Sequence, residues 1–293
     1  MRRTLIILAV FFWLVAAVFG SDLVLPPELC LPGTPAEQRL GADLSDGRLD
    51  EHSILEAALI AASTPDPEVA ACLAKIDDRI ARWRTRDDWQ GTPRQRAEKL
   101  FELMHEELLV GGYCHDASNL AQTLEHGRFN CVSATLLWQH LAAALEVRAV
   151  PRQLPGHMQS VLNFGDTRFV VETTCPRWFS LDDAEVRATL AAHPDGRELD
   201  DAALVACVYY NHGLALLAQH RYAAALSATY AAHRLDPASM AARANVLATL
   251  NNWALGLAEQ GQTARALWML QTGQSLAPEH ESFRVNLGLL RTP

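Results

Sequence analysis

A cysteine, a histidine and a carboxylate follow one another along this chain in an order that suits nucleophilic catalysis: Cys131, His157 and Glu172. The thiolate, not the thiol, is the nucleophile, and a thiol in the first turn of a helix faces the positive end of the helix dipole, which favours the anion. Such a nucleophile needs an imidazole to hold and later deliver a proton, and the imidazole needs an acceptor that fixes its tautomer. His157, about 26 residues after the cysteine, and Glu172, about 15 further on, are of the right types. The backbone N–H of Cys131 is the natural first donor to an oxyanion, and Asn119 or Gln122 is expected to supply the second. Taken singly, each residue reads as ordinary: a buried cysteine is most often a small apolar core residue, a histidine after Pro155-Gly156 ends a loop, and a strand glutamate is solvated. Their joint order, helix start, strand start, neighbouring strand, is what points to a site.

The elements that must position them are legible in the same stretch. RFNCVSATLLWQHLAAAL carries Val132, Leu136, Leu137, Leu141 and Leu145 at helical spacing, so Cys131 falls in that helix's first turn. VRAVPRQL, MQSVLNF and TRFVVETT read as strands from their alternating and β-branched residues, with a turn at Asn163 to Asp166. A hairpin tip at Gly165-Asp166 would set His157 and Glu172 side by side. The expected fold class is α+β, a helix laid against a small antiparallel sheet.

The helix with NCVSATLLW, the phrase LPGH opening a strand and an acidic residue ending the next strand resemble the transglutaminase-like cysteine-protein superfamily, and more closely its bacterial branch in which tetratricopeptide repeats follow. The resemblance is specific from about Gly127 to Phe179 and looser over the helices before it. It implies papain-like chemistry on an α+β core, with Cys131 as nucleophile, His157 as base and Glu172 as the acidic third member. Three positions depart from many active members: Val132 stands where tryptophan follows the cysteine, Gln159 where an aromatic lies two beyond the histidine, and Glu172 where aspartate is usual.

Upstream, three amphipathic helices are expected from about Asp50 to Ala62, Asp66 to Arg84 and Pro93 to Leu109; Thr92-Pro93 supplies a capping hydroxyl and a proline at the first helical position. Before them, residues 21–45 include LPPELCLPGTPAE, whose prolines and glycine read as an irregular tether, with folding expected to begin near Asp46. The first 20 residues place Arg2 and Arg3 ahead of an apolar run from Leu5 to Phe19 that ends at Gly20-Ser21. That run is shorter than the roughly 20 residues of a spanning helix, so it reads as a secretory signal, with an uncleaved membrane anchor as the other option. The expected location is therefore periplasmic or extracellular.

After Pro176 helix is expected to resume, and a loop around Pro194-Asp195-Gly196 marks the boundary of a domain spanning 46–196. From Leu199 to the end the chain repeats at an offset of 41 residues, and within each copy a small residue, an alanine and a proline fall 12 apart: Gly213, Ala225, Pro237, then Ala254, Ala266, Pro278. This resembles the tetratricopeptide repeat, a helical hairpin with small residues where its helices cross. Gly288 would open a third, truncated copy, and the extra residues from Ser239 to Asn245 would lengthen a helix. So short an array is expected to lean on the preceding domain.

The chain has 293 residues, 49% hydrophobic, enough for ample cores and too many for disorder. Its net charge of -9 is spread without basic blocks, which argues against nucleic acid as a partner. Six cysteines in an exported protein tend to pair, but with Cys131 kept free Cys30, Cys72, Cys114, Cys175 and Cys207 cannot all do so, and spacing assigns no bridge. No two cysteines have zinc-site spacing, so neither metal nor cofactor is expected. These readings favour a thiol hydrolase or acyl transferase acting on amide bonds of peptides or proteins. The alternative is a binding module in which the repeats hold a peptide and the cysteine domain is a degenerate recognition fold.

Overall fold

A computed structural model describes residues 23–86, 89–165, 167–182, 184 and 196–291. The expected signal segment lies outside the described residues, as do most of the expected helix after Pro176 and the 194–196 loop apart from Gly196.

The described chain is mixed α+β. Helices α1 (Pro35–Asp43), α2 (Ile54–Ala61), α3 (Asp66–Arg84) and α4 (Pro93–Glu107) come first. Each start has a local cause. Ser53 accepts the Glu56 N–H and so sets α2 to begin at Ile54, later than composition suggested, while Thr92 and Gln95 cap α4 reciprocally. Two short strands, β1 (Gly112–Tyr113) and β2 (Arg128–Phe129), pair in parallel on either side of α5 (Leu120–His126). Next come α6 (Cys131–Ala144) and the strands β3 (Ala149–Leu154), β4 (His157–Phe164) and β5 (Thr167–Val171). With β6 (Arg197–Glu198) they form an antiparallel sheet in the order β5-β4-β3-β6.

The stretch read as a tether is folded from Leu23 onward. Thr34-Pro35-Ala36-Glu37 is a capping box: the Thr34 side chain accepts the Glu37 N–H, and the Glu37 carboxylate accepts the Thr34 N–H at 2.7 Å. Ahead of it, Leu23, Leu25 and Leu29 are buried against the C-terminal helices, and the Leu31 N–H donates to Ser227 Oγ at 2.8 Å. Prolines excluded a continuous helix there, but three leucines, at about 2 kcal/mol of burial each, suffice to hold an extended strap.

The helix α6 is buried on more than the single face its leucines mark, since Ser133, Ala134, Thr135 and Trp138 are enclosed as well. It is the central element, packed by α2 and α4 and by β3 and β4. The C-terminal region comprises α7 (Asp201–Ala218), α8 (Tyr222–Leu235), α9 (Met240–Glu259), α10 (Thr263–Leu276) and α11 (Glu281–Arg291). Small residues mark their crossings: a Cβ on Gly213 would come within 2.6 Å of Thr229 Cγ2, and one on Gly273 within 2.2 Å of the Phe283 ring. Residues 240–245 form the first turns of α9 behind the Ser239 cap. At Gly288 a Cβ would meet nothing within 4 Å, so no close crossing accounts for that glycine. No break in the core separates the two regions. The buried cluster that holds α2, α4 and α6 continues into α7 and α8 through Leu204, Val205, Val208 and Ala225, and β6 carries the chain out of the sheet directly into α7. By length and composition α7 is apolar enough to cross a membrane, and half of it is buried in this core.

Candidate active site

Cys131 owes its placement to the residue before it. Asn130 caps α6: its Oδ1 accepts the N–H groups of Val132 and Ser133 at 3.0 and 3.1 Å, and Ser133 Oγ accepts the Asn130 N–H at 3.0 Å. The Asn130 side-chain amide donates to the His115 carbonyl at 3.0 Å and ties the helix start to the loop after β1. The cap takes the second and third amides of the helix and leaves the Cys131 N–H unspent. Cys131 is the first helical residue, half-buried and with a free thiol.

His157 opens β4 directly after a tight turn. Leu154 and His157 are register partners, and between them Pro155-Gly156 has Gly156 in the left-handed region at φ 71°. Proline followed by a positive-φ glycine is the preferred pair for such a connection. Glu172 follows the last residue of β5. The register pairs Ser160 with Val171, and one step on Gln159 and Glu172 meet through their side chains.

The carboxylate of Glu172 is gripped by four donors. His157 Nε2 lies 2.7 Å and Gln159 Nε2 3.0 Å from Oε2; Thr174 Oγ1 lies 2.6 Å and the Thr174 N–H 3.1 Å from Oε1. A carboxylate so held is a fixed acceptor, not a solvated strand side chain. Burial works to raise its pKa, but the bonds from His157, Thr174 and Gln159 together bring it below the ordinary value. Gln159 is 1% exposed and its Oε1 has no partner among the described residues, so its placement serves the Glu172 contact.

His157 links the acid to the thiol. With Nε2 committed to Glu172, Nδ1 is the nitrogen left to interact with the Cys131 side chain. The neighbouring Cys131 side chain and then the bond to Glu172 raise the imidazole to about 10 against the opposing effect of burial. The raised value favours the charged ring at neutral pH, and a charged imidazole beside a thiol is the arrangement that can hold a proton for a leaving group.

Among the described residues neither Asn119 nor Gln122 bonds to Cys131, His157 or Glu172. Asn119 Oδ1 is used as the N-cap of α5, accepting the Gln122 N–H at 3.2 Å. Both residues line a separate cavity of about 280 Å³ with Asp116, His212 and Arg221, which none of the three catalytic candidates borders. Residues that sequence reasoning passed over, Tyr113, Asn130 and Thr174, are set around the site instead. The Asn130 cap has a readable signal, an asparagine before an apolar helical run; a two-residue strand bearing Tyr113 has none.

The other cysteines are of different character. Burial pushes Cys72 and Cys30 up, and Cys207 up to about 12, which keeps them as inert thiols. Cys114 Sγ lies 2.9 Å from an Arg128 guanidinium nitrogen.

No family model matches the chain, and neither a curated protein nor a solved structure matches it significantly.

Proposed function

We propose that this protein is an exported thiol hydrolase or acyl transferase of transglutaminase-like type, acting on amide bonds of peptides or proteins, with tetratricopeptide-like repeats completing its fold. The observation that carries the reading is the His157 imidazole, bonded to a carboxylate held by four donors and facing a thiol in the first turn of a capped helix. The Cys131 thiolate attacks the acyl carbon, the π pair moves to oxygen, and the Cys131 N–H donates to it. The His157 imidazolium gives its proton to the departing amine, leaving a thioester. The imidazole, now neutral, takes a proton from water or an amine as it attacks the thioester; collapse breaks the carbon–sulfur bond, releasing the acid or the new amide and restoring the Cys131 thiolate beside the His157 imidazolium. Throughout, Glu172 holds the ring orientation, as the third member of a triad does.

An activated ester tests this directly. With p-nitrophenyl acetate the wild-type protein is expected to release p-nitrophenolate in a burst of one equivalent as the thioester forms, while a Cys131→Ala variant of unchanged circular dichroism shows none. A burst that survives in that variant, or a variant that no longer folds, would overturn the catalytic role.

A further inference from the structure

An acyl-transfer site needs more than one donor for its oxyanion, and the side chains around Cys131 are nearly all committed. Gln159 donates to Glu172, and the Asn130 amide to the His115 carbonyl. Asn119 and Gln122 lie at another cavity. Tyr113 is left. It sits in β1 opposite Phe129, two residues before Cys131, with its ring edge-on to Phe129 at 6.3 Å between centroids. The strand that carries it is anchored beyond this point, because the Cys114 N–H donates to the Phe129 carbonyl at 2.7 Å. The residue is 56% exposed, an aromatic left in the open within electrostatic range of Cys131 while its pairing partner Phe129 is buried. Among the described residues its hydroxyl makes no hydrogen bond.

We propose that the Tyr113 hydroxyl is the second oxyanion donor, closing with the Cys131 N–H on the negative oxygen that forms when Cys131 attacks an acyl carbon. This rests on the thiol-acyl reading above. Partial burial, then the acidic neighbours Cys131 and Glu172, push the phenol above its ordinary pKa, so it is a protonated donor at neutral pH. Phe129 below and the strand behind hold the ring, so the donor is preorganised and no proton is transferred: the Cys131–carbon bond forms, the carbonyl π pair moves to oxygen, the Tyr113 O–H and Cys131 N–H bond to it, and collapse expels the leaving group. In such a site one donor is worth on the order of 10²-fold or more in rate, and a half-exposed donor less, roughly tenfold to a hundredfold.

Two reagents separate this role from a structural one. Alkylation by iodoacetamide is a displacement at saturated carbon and forms no oxyanion, whereas acylation by p-nitrophenyl acetate does. In the full chain Tyr113→Phe, which keeps the ring against Phe129, is expected to slow acylation about 10- to 100-fold and to leave Cys131 alkylation within about twofold. Unchanged acylation overturns the assignment, as does an equal fall in both rates, which would mean a disturbed or unfolded site. Cys131→Ala, run beside it, keeps the two claims apart: acylation persisting there removes the nucleophile and the oxyanion donor together, whereas acylation lost there but unaffected by Tyr113→Phe removes only the donor.

Discussion

Replacing Glu172 by glutamine removes the charge and keeps the shape, and its main effect is expected on His157. The rise of that imidazole from 6.5 to about 10 corresponds to on the order of 5 kcal/mol in favour of the charged ring, shared between Cys131 and Glu172. The carboxylate at 2.7 Å is the second cause of that rise, after Cys131, and an adjacent opposite charge typically moves a pKa by roughly 1 to 3 units. The assay is the NMR titration of the His157 ring protons: the wild type is expected to titrate near 10 and the Glu172→Gln variant clearly lower. Stability follows the same shift. Because the folded value lies above the unfolded one, the contribution is complete below about pH 6.5 and is lost as pH rises through about 10. Denaturant unfolding should show the wild type losing roughly 1 to 4 kcal/mol more than the variant between pH 7 and pH 11. A wild-type His157 that titrates near 6.5, or one whose titration ignores Glu172→Gln, would refute the reasoning.

Other expectations concern the support of the site. His105 is buried beneath it, with Nε2 3.1 Å from the Thr173 carbonyl, Nδ1 without a partner among the described residues, and burial depressing it to about 4. Its folded value lies below the unfolded 6.5, so about 3 kcal/mol of stability present above pH 6.5 is lost as pH falls through about 4, and His105→Gln should flatten that acid limb in urea titrations. Asn130→Ala removes the cap that fixes Cys131 and should cost about 1 to 2 kcal/mol in urea unfolding while slowing Cys131 alkylation; an unaltered rate would show that the cap does not position the thiol. Leu29→Ala should cost roughly 2 to 4 kcal/mol, measured by the same unfolding, since the strap is part of the core; a surface-like loss near zero would restore a loose tether.

What was legible in the sequence followed from period and punctuation. Strands β3 to β5, the helix behind Cys131 and the helices starting at Asp66 and Pro93 are short-range matters, written in alternation, leucine spacing and Thr-Pro starts. The juxtaposition of His157 with Glu172 followed from the hairpin alone. What was not legible depends on distant partners. The residues around Leu25 read as a tether because nothing local shows that Tyr230 and Ser227 receive them. The capping box at Thr34 was readable but stood among prolines that argued the other way. Asn119 looked available to an oxyanion because its type suits that role, yet the same side chain suits an N-cap, and the start of α5 claims it. The continuity of the core across residue 199 is likewise long-range: α7 is apolar nearly all round, which periodicity cannot convert into a packing partner.

The central claim is an activated thiol at Cys131, and differential alkylation tests it most directly. Iodoacetamide at about pH 6 barely modifies an ordinary thiol, and peptide mass spectrometry reads all six cysteines separately in wild type and His157→Ala. The account predicts that Cys131 is modified fastest and that its rate collapses without His157, while buried Cys72 and half-buried Cys207, whose thiol pKa is raised, stay slow in both. Slow modification of Cys131 in the folded wild type, or a rate indifferent to His157, would contradict it.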